Sequence, residues 1–439
     1  MTDDVETGPH EARRTAMMAD EVRLPAEPRE RTGPAAITPL HSGSFSCEVT
    51  DEMGKPFGWL AIDTTVNGRS HGGVRLSLDV SLAELCGLAR RMTLKFGFLG
   101  LPGGGAKAGV VGDPEAAPEQ RLARLRRFAT ALSPLLQSGC YQPAPDFGTS
   151  DVEIDKMLAF IGVRRSRREP TRERSGFYTS LTVVVGAQVA ARHLGRELAG
   201  LRAAVQGFGK VGAAVAQDLA ERGAQIVAVS TSQGALYHPR GLPVEALVTL
   251  ARQAGSGFVH QYKEAERMDR EELLTLPVDL LCPCAMGGSI HAGNAAQVQA
   301  RIISAGANCP VTPEAEQTLL RQEALFLPDF VTNCGGTLGG TMAFAGLDLR
   351  TIRRFVEEKV APRIAALIEM NWDRGEPLTP VAEREALERF LKAKQRAEQQ
   401  SFKTGIFQSG LALYRRGLVP GFIVRTLAPH YFAAILREG

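Results

Sequence analysis

The hydrophobic and polar positions of this 439-residue chain change their period along the sequence. Residues 58–63 form a short apolar run that is typical of a half-buried strand. The sequence SLAE at residues 81–84 is a capping box, and the apolar residues after it recur at helical spacing, which predicts a helix. A second capping box at residues 150–153 predicts the start of another helix.

From about residue 200 the pattern alternates between strand and helix. Residues 202–206 predict a strand, residues 210–222 an alanine-rich helix, and residues 225–230 a second strand. Such alternation favours a parallel sheet. After about residue 345 the pattern is helical again and rich in charge. We therefore expect a helix-rich first domain, an inserted domain with a parallel sheet, and a C-terminal helical segment.

Two polar segments flank the first domain. Residues 1–43 have little apolar periodicity, which predicts a disordered tail. The basic run at residues 164–170 is predicted to be a solvated linker rather than a nucleic-acid patch, because no aromatic residues are interleaved with its arginines. This run places the boundary between the first two domains near residue 172.

Composition excludes several classes of protein. Fifty-one Lys and Arg against 48 Asp and Glu leave a net charge of +3, which disfavours a nucleic-acid partner. The seven cysteines are odd in number and lack C-x-x-C spacing, so we expect no disulfide framework, no metal site and a reducing, cytoplasmic location. No apolar run is long enough to span a membrane, so no membrane partner is expected.

The sequence GFGKVG at residues 207–212 follows one predicted strand and opens the predicted helix. It has the spacing of a dinucleotide-binding fingerprint: Gly207 permits a tight turn, Gly209 admits a pyrophosphate, and Gly212 lets helix and strand pack closely. The pyrophosphate would lie at the N-terminus of the helix. A structural glycine turn is the alternative. The second strand ends near Thr231 without a carboxylate for the ribose, so NADP is permitted and NAD is not excluded.

Five further residues are candidates for chemistry. Lys95 precedes Lys107 by twelve residues, and Lys107 ends a glycine-rich loop. Two ammonium groups facing one small site would lower each other's pKa, which would leave one able to act near neutral pH; surface lysines beside a flexible loop are the alternative. Asp146, between prolines and a glycine, is either a proton-transfer group or a turn residue. Asn308 and Asn333 lie in loops of small residues.

Taken together and in this order, these segments resemble the glutamate/leucine/phenylalanine/valine dehydrogenase family. The resemblance implies a two-domain α/β fold. Residues 44–172 would form an α/β substrate-binding and oligomerisation domain, residues 173–345 a Rossmann-type NAD(P)-binding domain, and residues 346–439 a C-terminal helical segment that returns to the first domain. The matching stretches are residues 72–75, 92–95, 104–109, 143–149, 205–212, 306–313 and 333–336.

The resemblance also implies roles for individual residues. Lys95 would hold the α-carboxylate of the substrate, Lys107 would polarise the carbonyl and activate water, and Asp146 would carry the proton of the amino nitrogen. Asn308 and Asn333 would line the nicotinamide and the substrate. Other substrate positions are His71, Gly72, Gly73, Ala144 and Gly340; other cofactor positions are Ser175, Gly207, Phe208, Gly209, Lys210, Val211, Gly212 and Thr231.

Two substrate positions depart from the glutamate enzymes of this family. His71 stands where those enzymes have a lysine for the distal carboxylate, and Gly340 stands where they have a serine. We therefore predict an NAD(P)-dependent, homo-oligomeric L-amino acid dehydrogenase that forms a 2-oxo acid and ammonia and favours an apolar or aromatic substrate. The alternatives are a glutamate dehydrogenase and a catalytically altered homologue that acts as a nucleotide or amino acid sensor or subunit.

Overall fold

A computed structural model describes residues 44–164, 175–372, 374–399 and 402–438. The predicted disordered tail and residues 165–174, which hold most of the predicted linker and the predicted domain boundary, lie outside the described residues. The chain divides into two compact units. The first unit comprises the described residues up to Arg90 together with Gly104–Arg164, and the second comprises Arg91–Gly103 and the rest of the chain.

The first unit contains a five-stranded sheet and short helices. Its strand order is β1-β2-β4-β3-β5; β3 is parallel to β4 and β5, and β2 is antiparallel to β1 and β4. The strands are β1 (Phe45–Thr50), β2 (Pro56–Ile62), β3 (Ser70–Ser77), β4 (Gly104–Val111) and β5 (Tyr141–Pro145). The helices are α1 (Leu82–Leu99), which ends in the second unit, α2 (Pro118–Ala131), α3 (Ser133–Gln137) and α4 (Asp151–Phe160).

Alternation along these strands gives the sheet two different faces. Val74, Leu76 and Val110 point to one face, where they pack with Phe128 of α2 and Ile154 of α4 in the main core of the unit. The opposite face carries the alternate residues of β3 and β4, which include Arg75 and Lys107, and here Leu85 and Ala89 of α1 pack against Ala61. We call this opposite face the second face. Both predicted helix starts are confirmed, since Glu84 N donates to Ser81 Oγ and Ser150 makes a complete capping box.

The second unit contains a seven-stranded sheet of order β12-β11-β10-β6-β7-β8-β9. Strands β12 to β7 in this order are parallel, whereas β8 and β9 are antiparallel additions at one edge. The predicted strand–helix–strand segment from residue 202 is confirmed. The strands are β6 (Arg202–Gln206), β7 (Gln225–Thr231), β8 (Gly234–Tyr237), β9 (Glu266–Met268), β10 (Leu280–Pro283), β11 (Ile302–Ser304) and β12 (Leu325–Leu327).

Helices cover this sheet and continue to the C-terminus. They are α5 (Ser175–His193), α6 (Lys210–Glu221), α7 (Val244–Ala254), α8 (Phe258–Gln261), α9 (Pro313–Arg321), α10 (Asp329–Thr332), α11 (Gly335–Phe344), α12 (Leu349–Phe355), α13 (Ala361–Trp372), α14 (Leu378–Glu398), α15 (Phe402–Arg415) and α16 (Gly421–Glu438). A π-helical turn, Val356–Val360, joins α12 to α13. The C-terminal helices contact residues 91–103 of the predicted first domain, since Arg363 of α13 donates from Nη1 to Phe98 O at 2.6 Å; the structure groups both segments with the second unit.

No helix among the described residues is long and apolar enough to cross a membrane. All seven cysteines carry free thiols.

Candidate active site

Lys107 and Asp146 form an ion pair on the second face of the first sheet. Lys107 lies in β4 and is 4% exposed, and its Nζ is 2.9 Å from Oδ2 of Asp146, which follows β5. Arg75 of β3 donates from Nε to the same Oδ2 at 3.1 Å. Burial alone would raise the pKa of Asp146, but Lys107 and Arg75 hold it well below its usual range. Asp146 is therefore ionised, as a carboxylate, in this arrangement.

The position of Asp146 follows from the register of β3 and β5. Gly73 pairs with Ala144, and a Cβ on Gly73 would lie 2.7 Å from Cβ of Asp146, so the glycine leaves the space that Asp146 fills. The backbone N of Asp146 donates to Oγ1 of Thr149 at 2.9 Å, and that hydroxyl donates to Val74 O at 2.8 Å. The predicted turn thus fixes the carboxylate against β3.

The remaining predicted substrate residues of the first unit lie beside this pair. Gly72 is required by packing, because a Cβ there would lie 1.6 Å from Ala106 O. His71 is partly exposed and shares the second face with Gly73, two residues further along β3. Ala144 is buried on β5. Our sequence reasoning gave no role to Arg75, although its spacing of two from Gly73 was a signal that it shares the same face.

In the second unit the structure brings Lys95, Asn308 and Asn333 together. Lys95 lies on α1, is 8% exposed and donates from Nζ to Oδ1 of Asn308 at 2.9 Å. Asn333 donates from Nδ2 to the same Oδ1 at 3.1 Å and to Ala307 O at 3.0 Å. No described residue bonds to the buried Oδ1 of Asn333. A buried acceptor of this kind fits a ligand that carries a donor.

Arg91 and Asp329 hold the loop that carries Asn308. Asp329 is buried after β12, and its Oδ2 accepts the backbone N–H of Cys309 at 3.0 Å. Arg91 lies one helical turn before Lys95; its Nε donates to Sγ of Cys309 at 3.2 Å and is 3.6 Å from Oδ1 of Asp329. Sequence reasoning missed both residues. The spacing of four between Arg91 and Lys95 was the available signal, because such residues share one face of a helix.

The glycine fingerprint lies at the carboxyl end of β6, between β7 and β10. Gly207 has a φ of +88°, and a Cβ on Gly212 would lie 1.7 Å from Gly207 O, so the fold itself requires both glycines. A Cβ on Gly209 would meet none of the residues that the structure describes within 4 Å. Gly209 therefore leaves an open cradle at the start of α6, at the switch point of the sheet where such folds bind ligands. These residues fit a dinucleotide.

The other predicted cofactor residues surround or adjoin this turn. Lys210 and Val211 open α6, and Phe208 is buried with its N–H donating to Ser230 O at 2.7 Å. Thr231 is the last residue of β7; its Oγ1 donates to Ser256 O at 3.0 Å. Helix α5 begins at Ser175, whose side chain is outside the described residues.

Gly340 lies on α11 and has open space where a Cβ would be. The structure therefore groups the predicted residues into two sets. One set, with Lys107 and Asp146, belongs to the first unit, and the other, with Lys95, the asparagines, Gly340 and the fingerprint, belongs to the second.

Known proteins resemble the chain over most of its length. The family model of Glutamate/Leucine/Phenylalanine/Valine dehydrogenase matches residues 173–389, and that of the Glu/Leu/Phe/Val dehydrogenase dimerisation domain matches residues 41–161. The NADP-specific glutamate dehydrogenase A1 of Halobacterium salinarum is 31% identical over 70% of this chain and 76% of that protein. An NAD-specific glutamate dehydrogenase of Staphylococcus aureus is 33% identical over 64% of this chain and 70% of that protein.

A solved structure gives the same result for the fold. The hetero-hexameric glutamate dehydrogenase of Thermus thermophilus, in its Leu-bound form, has a TM-score of 0.68 and 28% identity, covering 82% of this chain and 90% of that chain. The predicted family, the two-domain α/β fold with a Rossmann-type domain, and NAD or NADP as cofactor are confirmed. The chain belongs to the glutamate/leucine/phenylalanine/valine dehydrogenase family of NAD- or NADP-dependent amino acid dehydrogenases.

Proposed function

We propose that this amino acid dehydrogenase oxidatively deaminates an apolar or aromatic L-amino acid in preference to glutamate. The observation that carries its catalytic part is the buried Lys107–Asp146 pair, 2.9 Å apart, with Arg75 on the same carboxylate oxygen. Such a pair supplies both a proton acceptor and a cation at one point, which the deamination of an amine requires.

Lys95 binds the α-carboxylate of the substrate. Its buried ammonium group donates to Oδ1 of Asn308, which also accepts from Asn333, so the ammonium lies beside both asparagines. A carboxylate that reaches a buried ammonium gains a charge-assisted hydrogen bond. Asn333 adds a buried acceptor, its Oδ1, for a donor on the substrate or the cofactor.

Asp146 and Lys107 transfer the protons. Asp146 accepts a proton from the substrate ammonium, which leaves the free amine. A nicotinamide held by the cofactor residues would supply the acceptor for the hydride from Cα of the substrate. Lys107, once it has released its own proton to solvent, takes a proton from the water that adds to the C=N carbon. Asp146 then returns its proton to the nitrogen, and the hydroxyl proton of the adduct passes to solvent as ammonia leaves. The products are a 2-oxo acid and ammonia, and two electrons have left the substrate.

The fingerprint would hold the pyrophosphate through the backbone N–H groups at the start of α6. Strand β7 ends in Thr231, whose side chain is neutral. Thr231 therefore does not repel the 2′-phosphate of NADP. We infer that both NAD and NADP are accepted.

The substrate preference rests on His71 and Gly340. A distal carboxylate left unpaired in a desolvated pocket would be costly, and binding it needs a cation. His71 supplies a charge that depends on pH, and Gly340 supplies no hydroxyl and leaves open space. An apolar side chain needs no charged partner and gains from filling that space.

We infer that the protein forms a homo-oligomer and acts in the cytoplasm. The match of residues 41–161 to a family dimerisation domain supports the oligomer, and the seven free thiols support a reducing compartment. Light scattering of the purified full chain tests the oligomer, and a mass equal to one chain would contradict it.

A panel of L-amino acids, assayed with NAD and with NADP at about pH 8 or above, tests the preference, because His71 should be neutral there. Leucine or phenylalanine should be turned over faster than glutamate. His71→Lys combined with Gly340→Ser should shift kcat/KM toward glutamate by at least about tenfold, and each single variant serves as the control. Faster wild-type turnover of glutamate would refute the preference. Silence with every amino acid, with leucine binding intact, would favour a sensor or subunit.

A further inference from the structure

Four charged side chains of alternating sign form a continuous chain in the first unit. Glu84, in the first turn of α1, pairs with Nη1 of Arg75. Arg75 Nε is 3.1 Å from Oδ2 of Asp146, and Lys107 Nζ is 2.9 Å from the same oxygen. The chain thus leads from the partly exposed Glu84 to the buried Lys107, across the second face of the sheet.

We propose that Arg75 is a positioning residue for the reaction, which holds Asp146 in place as a carboxylate while Lys107 gives up and regains its proton. This inference rests on the proposed function of the Lys107–Asp146 pair. Arg75 touches Asp146 and not the reacting atoms, so its effect on the reaction passes through that carboxylate.

The first argument concerns charge. In the proposed reaction Lys107 loses its proton, and at that step it no longer offers a positive charge to Asp146. The Arg75 guanidinium takes no part in the proton transfer, so it remains beside Asp146 as a cation when Lys107 has lost its proton. The charged groups that contact Asp146 among the described residues are Arg75 on β3 and Lys107 on β4, with Glu84 of α1 behind Arg75.

The second argument concerns geometry. Both ion pairs of Asp146 use Oδ2, and neither uses Oδ1. The carboxylate is therefore oriented by two donors on one oxygen, which leaves the other to meet the substrate amine. Glu84 fixes the far end of the Arg75 fork, and Gly73 leaves the space in which Asp146 lies against β3.

The pH dependence of kcat/KM for the preferred amino acid tests this proposal. Without the Arg75 charge, every proton on the Lys107–Asp146 pair becomes harder to lose. In Arg75→Gln the limb on which kcat/KM rises with pH should therefore move to higher pH by at least about half a unit. Arg75→Lys keeps the charge and should restore most of the wild-type limb. Glu84→Gln removes an anion behind Arg75, so its limb should move the opposite way.

Arg121→Gln is the matched control. Arg121 forms an ion pair with Glu153 at 2.9 Å in the same unit, and its side chain is 24% exposed against 21% for Arg75. This variant should leave the limb unchanged. A folded Arg75→Gln with the wild-type limb would overturn the proposal. If Arg75→Gln does not fold, the pH dependence of kcat/KM in Glu84→Gln tests the proposal instead. A rising limb that stays at the wild-type pH, or moves to higher pH, in Glu84→Gln would contradict the proposal.

A second readout separates this proposal from the proposed function. Small amine-reactive reagents label lysines that have lost their proton, and mass spectrometry quantifies the labelling of Lys107 across pH without any turnover. The labelling curve of Arg75→Gln should lie at higher pH than the wild-type curve. If the wild type deaminates no amino acid, the proposed function fails, yet the labelling curves still support or overturn the role of Arg75.

Discussion

The two sets of candidate residues are held by different forces. In the first unit, Lys107, Asp146 and Arg75 are joined by ion pairs on one carboxylate oxygen. In the second unit, Lys95 and Asn333 share the neutral Oδ1 of Asn308. The gain or loss of one proton changes the interactions throughout a network of ion pairs. A network of amides is changed instead by a side chain of different shape or by a new charge.

This difference assigns the two sets different tasks. The ionic set can exchange protons, because each member changes the affinity of the others for a proton. The amide set leaves Lys95 as a cation and Asn333 Oδ1 as an acceptor, and both of these suit binding rather than proton transfer. Substitutions in the ionic set should therefore change kcat, and substitutions in the amide set should change the binding of the substrate or the cofactor.

The largest effect is expected for Lys107→Ala. Loss of the only amine in the ionic set removes the base that activates water, so kcat should fall by about a thousandfold, while binding of NAD or NADP stays intact. Steady-state kinetics and cofactor titration measure the two quantities. Lys55→Ala, at an exposed position of the first unit, is the control. Retention of more than about a tenth of the wild-type kcat would refute the role of Lys107.

Asn308→Asp should have the next largest effect, because it makes the amide set ionic. A carboxylate 2.9 Å from Lys95 would neutralise the cation that binds the substrate and would repel the substrate carboxylate. We expect KM for the amino acid to rise by about ten- to a hundredfold, with a smaller change in kcat. Asn308→Gln is the uncharged control. An unchanged KM in a folded Asn308→Asp would remove Lys95 from the carboxylate site.

Local signals in the sequence predicted the start of helices and the strand–helix–strand segment. The capping residues Ser81 and Ser150 act within one helical turn, and the fingerprint glycines fix where β6 ends and α6 begins. The antiparallel strands β8 and β9 and the π-helical turn had no such signal. Strand β8 forms a tight hairpin with β7, in which Thr231 pairs with Gly234, whereas β9 joins β8 from a distant part of the sequence, with Met268 paired to Ala235.

The candidate site was predictable in its residues but not in its contacts. The family resemblance pointed to Lys107 and Asp146, yet the ion pair of Arg75 with Asp146 spans 71 positions of the chain. Sheet register decides such a contact: β3 lies between β4 and β5, and this order brings Arg75 and Lys107 to the same carboxylate. The sequence alone did not give that order.

Thr231→Asp should change cofactor choice by a smaller factor. A carboxylate at the end of β7 would face the 2′-phosphate of NADP and accept a hydrogen bond from the ribose hydroxyl of NAD. We expect the Kd of NADP to rise by about tenfold, with little change for NAD, measured by fluorescence titration. Thr231→Asn has no charge and is the control. Unchanged NADP binding in Thr231→Asp would mean that this loop does not contact the ribose.

Gly209→Ala should have the smallest effect and tests the cradle directly. A Cβ at Gly209 would meet no atom of the described residues within 4 Å, whereas one at Gly212 would lie 1.7 Å from Gly207 O. Gly209→Ala should keep the wild-type melting temperature and raise the Kd of the cofactor by about three- to tenfold, since the methyl group would meet only the pyrophosphate. Gly212→Ala should instead lower the melting temperature.

Gly87→Ala, at another open helical glycine, should leave cofactor binding unchanged and stabilise the fold by about 0.5–1 kcal/mol. Unaltered cofactor affinity in Gly209→Ala would show that the pyrophosphate does not lie in this cradle.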